Sequence, residues 1–407
     1  MSPHPESLLR KTLRHYSGGT LFRAVRQYLL RSGQFERVCS ATLAALASVL
    51  VVPLAAVIGI TLWGSDLRPP RARRTIVPSS DNDRQIGSVE LIVLTWNGAD
   101  LLRKCLPSVV EAARNSPVPA TILVVDNGSV DDTVPMLAAS FPSVRVLCLP
   151  ENYGFGQGNN RGVAASTADV VLLLNNDMVV DKDFVGPLLV SLREPATFAA
   201  TSQILLPDGV RREETGRTTG AFRNGRFWVA HAPHADGDDD HETIPVFWAG
   251  GGSMAVRREH FVAMGGFDAL YEPFYWEDVG LSYRARKLGL QILMVPRSKV
   301  LHLHRSTTNR FPPAMVQRVV RRNEYLFTWA NLHDWRWLAT HVLLMPVNLA
   351  REIRADGPAV AVGALLMAMA RLPAVVASRT SARRESVMTD RAVVGQFAPV
   401  ALAGGAE

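Results

Sequence analysis

Residues 89–132 read VELIVLTWNGADLLRKCLPSVVEAARNSPVPATILVVDNGSVDD, and residues 170–177 read VVLLLNND. The apolar runs Val89–Thr95, Thr121–Val125 and Val170–Leu174 are of strand length and continuous rather than alternating. Runs of that kind suit strands buried on both faces. Helical patterns fill the intervals over Asp100–Arg114, Val130–Ser140 and Gly158–Ser166, with one more strand-like run at Val144–Leu149. Strands alternating with helices predict an α/β domain with a mostly parallel central sheet.

In open α/β sheets ligands collect beyond the carboxyl ends of the strands. Here those ends are polar: Thr95-Trp96-Asn97-Gly98, then Asp126-Asn127-Gly128-Ser129, then Asn175-Asn176-Asp177. Any one of them alone reads as a turn, because Asp and Asn cap helices and tolerate tight loops. Three at one sheet edge point to a ligand site. Trp96 is suited to stack on a nucleobase and Asp126 to accept a hydrogen bond from it. Asp177, at a strand end, is placed to hold Mg²⁺ or Mn²⁺, hard cations that take oxygen ligands and keep waters and substrate phosphates in their shell. Asn175 precedes it where a second carboxylate would strengthen the site. The stretch 151–160, ENYGFGQGNN, is Gly-rich but lacks GxGxxG spacing, and reads as a loop that lets backbone pass close to a ligand.

Downstream, EPFYWEDVGLSYRARKLG places Glu277 and Asp278 at the start of a helix. Acids there cap the positive end of the helix dipole. Two adjacent acids among Tyr271, Phe274, Tyr275 and Trp276 also sit in apolar surroundings that raise a carboxylate toward the range of a general base. His302 and His304 close the strand-like Ile292–Leu303 on one face, and His304 is the favoured metal or phosphate ligand. The loop 231–241, HAPHADGDDDH, lacks the spacing of a built metal site and reads as a solvated insertion.

The 407-residue chain carries a net charge of +7, with arginines concentrated at its ends and acids in the middle. There is no zinc-finger spacing and no basic stripe interleaved with aromatics, so no nucleic-acid partner is expected. Basic ends beside apolar runs point to anionic lipid. Val38–Trp63 is an uncharged apolar stretch of about 26 residues, enough for a membrane segment, interrupted by Pro53. Arginines flank it equally on both sides, so its orientation cannot be read from charge. Residues 1–37 form a basic segment, 64–87 a Pro- and Arg-rich linker, 88–310 the α/β domain, and 311–407 a helical, membrane-associated region. Within that region the short run Pro358–Ala370 reads as an interfacial helix, and the tail from Ser378 as poorly ordered. Cys39, Cys105 and Cys148 form no framework and are expected to be buried, inert thiols.

In this order the segments LIVLTWNGADLLRKCLPSV, VVDNGSVDDT, ENYGFGQGNNRG, LLLNNDMVV and GGSMAVRREHFVAMGGFDALYEPFYWEDVGLSYRARKLG resemble glycosyltransferase family 2, inverting enzymes with the GT-A fold. Among them, bacterial rhamnosyltransferase-like members are the most similar. The resemblance implies that Thr95, Trp96 and Asp126 hold the nucleobase and that Asn152 and Gly154 line the donor. Asn97, Asn159, Asn175 and Asn176 complete the donor set. Asp177 binds the metal, with His304 completing the metal or diphosphate shell. Asp278 is the base, assisted by Glu277. It further implies a nucleotide-sugar donor, first guess dTDP-rhamnose, and a cell-envelope glycan or lipid-linked acceptor. The place implied is the bacterial inner membrane, with the catalytic domain facing the cytoplasm. Two alternatives compete: a membrane scaffold with a degenerate transferase domain, against which Asp177 and the acid pair argue, and a nucleotidyltransferase, which would need a Gly- and Arg/Lys-bearing loop after the first strand.

Overall fold

The computed structural model describes residues 51–67, 85–207, 217–231, 242–303 and 311–397. An N-terminal helix, α1 (Val51–Asp66), precedes the sheet. The first strand, β1 (Val89–Thr95), lies between parallel neighbours β2 (Ala120–Asp126) and β4 (Val170–Asn175), and β3 (Arg145–Cys148) forms the edge beyond β2. The connecting helices are α2 (Ala99–Arg114), α3 (Thr133–Ser140) and α4 (Gly154–Ala165). Successive side chains of a strand face opposite ways. Leu91 and Val93 of β1 accordingly share one core with Leu102 and Leu106 of α2, while Ile92 shares another with Val163 of α4.

Past β4 the sheet departs from the expected mostly parallel arrangement. The chain continues through β5 (Met178–Val180), α5 (Val185–Ser191), β6 (Thr197–Leu205), the hairpin β7 (Thr218–Arg223) and β8 (Arg226–His231), β9 (Ile244–Pro245) and β10 (Ser253–Arg257). Next come α6 (Arg258–Ala263), α7 (Glu277–Lys287) and β11 (Gln291–His302). β10 runs antiparallel between β4 and β6, β11 parallel to β6, and β5 and β9 antiparallel to β11. The described sheet is therefore mixed.

The Gly-rich stretch is not a loop throughout, because α4 begins at Gly154. A Cβ at Gly158 would stand 2.7 Å from Leu94 Cδ1, and one at Gly162 would stand 2.8 Å from Ile92 Cγ2. These glycines let the helix sit directly on β1. Cys105 is buried as expected, but Cys148 is exposed, because edge strand β3 has no neighbour on its outer side among the described residues.

The C-terminal region is helical: α8 (Pro313–Asn331), α9 (Trp335–Asp356), α10 (Pro358–Ala370), α11 (Leu372–Glu385) and α12 (Asp390–Gly395). These helices and α1 enclose a core of their own that also takes in Tyr271, Trp276 and Tyr283 from the α/β domain. α10 buries Val360, Ala361, Ala364 and Leu365 in it. The stretch after Ser378 is ordered as far as 397, contrary to expectation, because two polar anchors draw it in. Buried Arg379 donates to Asp66 Oδ1 at 2.9 Å and to the Trp329 carbonyl at 2.8 Å. Asp390 accepts from Lys287 Nζ at 2.6 Å and Tyr283 Oη at 2.7 Å.

Residues 38–50 of the expected membrane segment lie outside the described residues. Among those described, no single helix is long and apolar enough to cross a membrane, and α10 with α11 meets the test only as a pair bent by 65°. α1 buries Val51, Ala55, Ile58 and Leu62 and exposes Val52, Val57, Ile60 and Trp63.

Breaking one partner of a buried ion pair strands the other charge, at a cost of about 3–5 kcal/mol. Asp390→Ala is expected to destabilise the fold by that amount in urea denaturation. Burial alone would raise the Asp390 carboxyl, but Lys287, His333 and Tyr283 hold it below its ordinary value. Its contribution is therefore present at neutral pH and is lost as pH falls from about 4 through the depressed native value.

Candidate active site

The parallel register sets Thr95 beside Asp126 and Leu94 beside Asn175, so all three polar strand ends reach the same edge of the sheet. A cleft of about 620 Å³ opens there. Thr95, Trp96, Asn152, Gly154, Asn175, Asn176 and Asp177 line it together with Glu277 and Asp278. Sequence positions 182 residues or more apart, such as Thr95 and Glu277, thus meet in one cavity.

Three of the expected donor residues lie off the cavity wall. Asp126 is buried and accepts from Ser129 N at 3.3 Å, closing its own turn. Asn97, at φ 48°, accepts from Val130 N at 2.8 Å and ties the β1 and β2 loops together. Asn159 turns back to the Phe155 carbonyl within α4, at 3.1 Å. In their place stands Asn127, which the sequence reading passed over. Its Nδ2 donates to Asn152 Oδ1 and to the Gly154 carbonyl, each at 3.0 Å, and its Oδ1 accepts from Tyr153 N at 3.0 Å. Its place beside Asp126 was the only signal for it.

Asp177 is buried, with Oδ1 meeting no hydrogen-bond partner among the described residues and Oδ2 3.3 Å from His302 Nε2. A buried carboxylate oxygen without a partner, beside an imidazole, is a donor pair that fits a divalent cation. His304, the favoured histidine of the sequence reading, falls outside the described residues, and it is His302 that reaches the cleft. Residues 232–241 of the acidic loop also lie outside them.

The acid pair opens α7. Asp278 Oδ2 accepts from Gly251 N at 3.1 Å and Oδ1 from Val279 N at 2.8 Å. Burial pushes Glu277 well above the ordinary carboxylate range, and neighbouring Asp278 pushes it further. Burial raises Asp278 too, but the two N–H groups favour its ionised form. The pair is thus set up to hold one charge, and Asp278 is the member equipped to carry it. Tyr275 and Trp276 just before it have φ of 68° and 75°, a left-handed backbone costing about 1–2 kcal/mol per residue outside glycine.

Glu272 is a further cleft-side acid that sequence reading did not single out. Its Oε1 accepts from Gln157 N at 2.9 Å, near the start of α4. Burial pushes it up to about 7. Opposite, Trp96 stacks on Phe311 with centroids 6.4 Å apart and planes at 15°, and Phe274 meets Phe311 at 5.6 Å. The rim of the cleft is therefore aromatic.

The model of glycosyl transferase family 2 matches residues 90–260. A relative from Mycobacterium tuberculosis, N-acetylglucosaminyl-diphospho-decaprenol L-rhamnosyltransferase, is 29% identical over 270 residues, covering 61% of this chain and 86% of its own. An O-antigen chain rhamnosyltransferase of Salmonella typhimurium is 24% identical over 224 residues, covering 54% and 67%. Among solved structures, GalNAc-T7 with UDP, GalNAc and Mn²⁺ aligns with a TM-score of 0.49 at 17% identity, over 67% of this chain and 54% of that one.

Asn127→Ala removes three hydrogen bonds that pin residues 152–154 to β2. Lost hydrogen bonds of a buried group cost about 1–3 kcal/mol. The expected outcome is a stability loss of that size in denaturant, with faster amide hydrogen exchange at Tyr153.

Proposed function

Residues 90–260 form a domain of glycosyl transferase family 2, and on that premise we propose that the chain is a metal-dependent, inverting hexosyltransferase acting on a nucleotide-sugar donor. The observation that carries this reading is one cleft lined by both Asp177 and the Glu277-Asp278 pair. The nucleoside lies over Thr95 and against Trp96. The diphosphate lies toward Asp177 and His302, which would hold Mg²⁺ or Mn²⁺ between them. When bound, such an ion supplies positive charge to the leaving diphosphate.

Asp278 removes the proton from an acceptor hydroxyl. The oxygen so freed bonds to the anomeric carbon on the face opposite the diphosphate, the bond from that carbon to the diphosphate oxygen breaks, and the configuration inverts. Glu277, kept protonated by burial and by the Asp278 charge, offers an O–H donor to the acceptor rather than a second base. One catalytic carboxylate is enough, since a diphosphate is a far better leaving group than an alcohol. The relatives from Mycobacterium tuberculosis and Salmonella typhimurium support dTDP-rhamnose as the donor, and a cell-envelope glycan or lipid-linked acceptor.

The proposal extends to place. The outward side of α1 carries Val52, Val57, Ile60 and Trp63 and follows directly on the uncharged run 38–50. Both support a seat on a membrane, which we take to be the bacterial inner membrane with the catalytic domain toward the cytoplasm, where a tethered enzyme meets a tethered acceptor at high effective concentration.

Purified protein incubated with a panel of nucleotide sugars is expected to release nucleoside diphosphate from one of them, only with Mg²⁺ or Mn²⁺ added. Asp177→Ala is expected to abolish release, and Asp278→Asn to lower transfer by about 10²–10⁴-fold, the usual share of a general base. Because the base must be ionised and its native pKa is raised, kcat/KM should climb with pH through a limb above the free Asp value of about 4. No release from any donor by folded protein would remove the enzyme reading.

Full-length protein should co-sediment with vesicles of anionic phospholipid. Ile60→Ser with Trp63→Ser should lower the bound fraction severalfold, and an unchanged fraction would refute this use of α1.

A further inference from the structure

The loop that delivers Glu277 and Asp278 to the cleft, Tyr271 to Trp276, lies outside any helix or strand except at Tyr271. Its carbonyls still need partners, because buried backbone oxygens without them are costly. They find them on α8, some 50 residues downstream. Asn323 Nδ2 stands 2.7 Å from the Tyr271 carbonyl, 3.0 Å from that of Phe274 and 2.8 Å from that of Tyr275. Arg322 Nη2 donates to the Tyr271 carbonyl at 3.2 Å and to that of Glu272. Arg322 Nε donates to Asn323 Oδ1 at 2.9 Å, which fixes the amide with its N–H groups toward the loop. Both side chains are buried, and Asn331 of the same helix donates to Tyr271 Oη at 2.9 Å.

We propose that Arg322 and Asn323 are positioning residues for the transfer reaction, holding the loop so that its two left-handed residues, Tyr275 and Trp276, set Glu277 and Asp278 in the cleft. This rests on the reading of Asp278 as the base. Neither residue touches the cleft, and both lie beyond the matched domain 90–260. The opposite side of the loop is fixed by α4, where Phe155 N donates to the Pro273 carbonyl at 2.9 Å and Gln157 N to Glu272 Oε1 at 2.9 Å. The loop is therefore clamped between the donor side of the site and the C-terminal helices. A displacement of about 1 Å in a reacting group lowers turnover by about 10²-fold, so releasing one jaw of the clamp has a kinetic signature.

The test uses full-length Asn323→Ala, Asn323→Asp and Arg322→Lys beside Asp278→Asn. Asn323→Asp keeps the shape and turns two N–H donors into an acceptor facing three carbonyls. Turnover of the nucleotide sugar selected from the panel, nucleoside diphosphate affinity by calorimetry, the pH profile of kcat and the unfolding midpoint are measured. Both Asn323 variants are expected to lose about 100-fold in kcat with diphosphate affinity within threefold of wild type. The acid limb of the pH profile should shift down, because a loosened loop admits water to Asp278. Arg322→Lys, which keeps the charge but not the planar fork, should lose about tenfold as an intermediate case, and carries the test if the Asn323 variants fail to fold. Folded Asn323 variants with kcat within threefold of wild type would overturn the proposal, as would a kcat loss matched by an equal loss of diphosphate affinity with the pH limb unmoved. Wild-type turnover in Asp278→Asn would instead overturn the assignment of the base, a separate failure.

Discussion

Thr95 pairs with Asp126 on one side of β1, and Leu94 with Asn175 on the other, in a parallel register unbroken from Val89 onward. Parallel strands all point the same way, so their carboxyl ends share an edge, and the polar residues ending each run become neighbours without contacting one another in sequence. Slipping any strand by one residue would carry its polar end out of line with the other two. Glycine supports the register from above. With Gly158 and Gly162 against Leu94 and Ile92, α4 lies close enough to β1 for Asn152 and Gly154, at its start, to reach the same edge. Asn127 then clips that helix start to β2.

The acid pair arrives by a different route, from outside the parallel half. α7 is set by two cores at once: Leu281 and Ala285 face the sheet, while Val279 and Tyr283 face the C-terminal helices. Trp276, in a left-handed conformation, anchors its start in the second of these cores. The C-terminal region is therefore not an appendage. Its core, its carbonyl contacts from Arg322 and Asn323, and the aromatic rim residue Phe311 all bear on the cleft that the α/β domain opens. A boundary drawn at 310 separates the chain by sequence pattern but not by packing.

Much of this was readable in advance, and what was not has a common cause. The runs at 89–95, 121–125 and 170–174 became β1, β2 and β4 because continuous apolar strands signal burial on both faces. Asp177, Glu277 and Asp278 were recognisable because carboxylates at element ends beside apolar runs are few. Asp126, Asn97 and Asn159 lie off the cleft lining, and an Asp or Asn that closes a turn is indistinguishable in sequence from one that faces a ligand. Asn127 and Asp126 are adjacent, and only the local backbone decides which side chain reaches the cleft. Glu272, Arg322 and Asn323 left no local signal at all. Their roles come from contacts across tens of residues, and a buried arginine in a helix reads as a surface cation until the carbonyls it meets are known. The tail after Ser378 was misjudged for the same reason, its order coming from Asp66 and Lys287 far upstream.

The charge distribution of the cleft bears on its chemistry. Asp177, Glu277 and Asp278 line it and Glu272 adjoins it, a strongly acidic setting for the anionic diphosphate that the proposed reading brings there. Two features reduce that conflict. Burial pushes Glu272 up to about 7 and Glu277 well above the carboxylate range, so part of the acid is uncharged at neutral pH. Of the other two, Asp278 has N–H donors from Gly251 and Val279 that favour its ionised form, and in the proposed reaction it takes a proton. Asp177 is buried with an oxygen that has no partner among the described residues, and an ionised carboxylate facing a diphosphate across a low-dielectric gap repels it unless a cation stands between them. The divalent ion of the proposed mechanism thus answers an electrostatic requirement of the donor site itself, and donor binding should depend on it before any bond is made or broken.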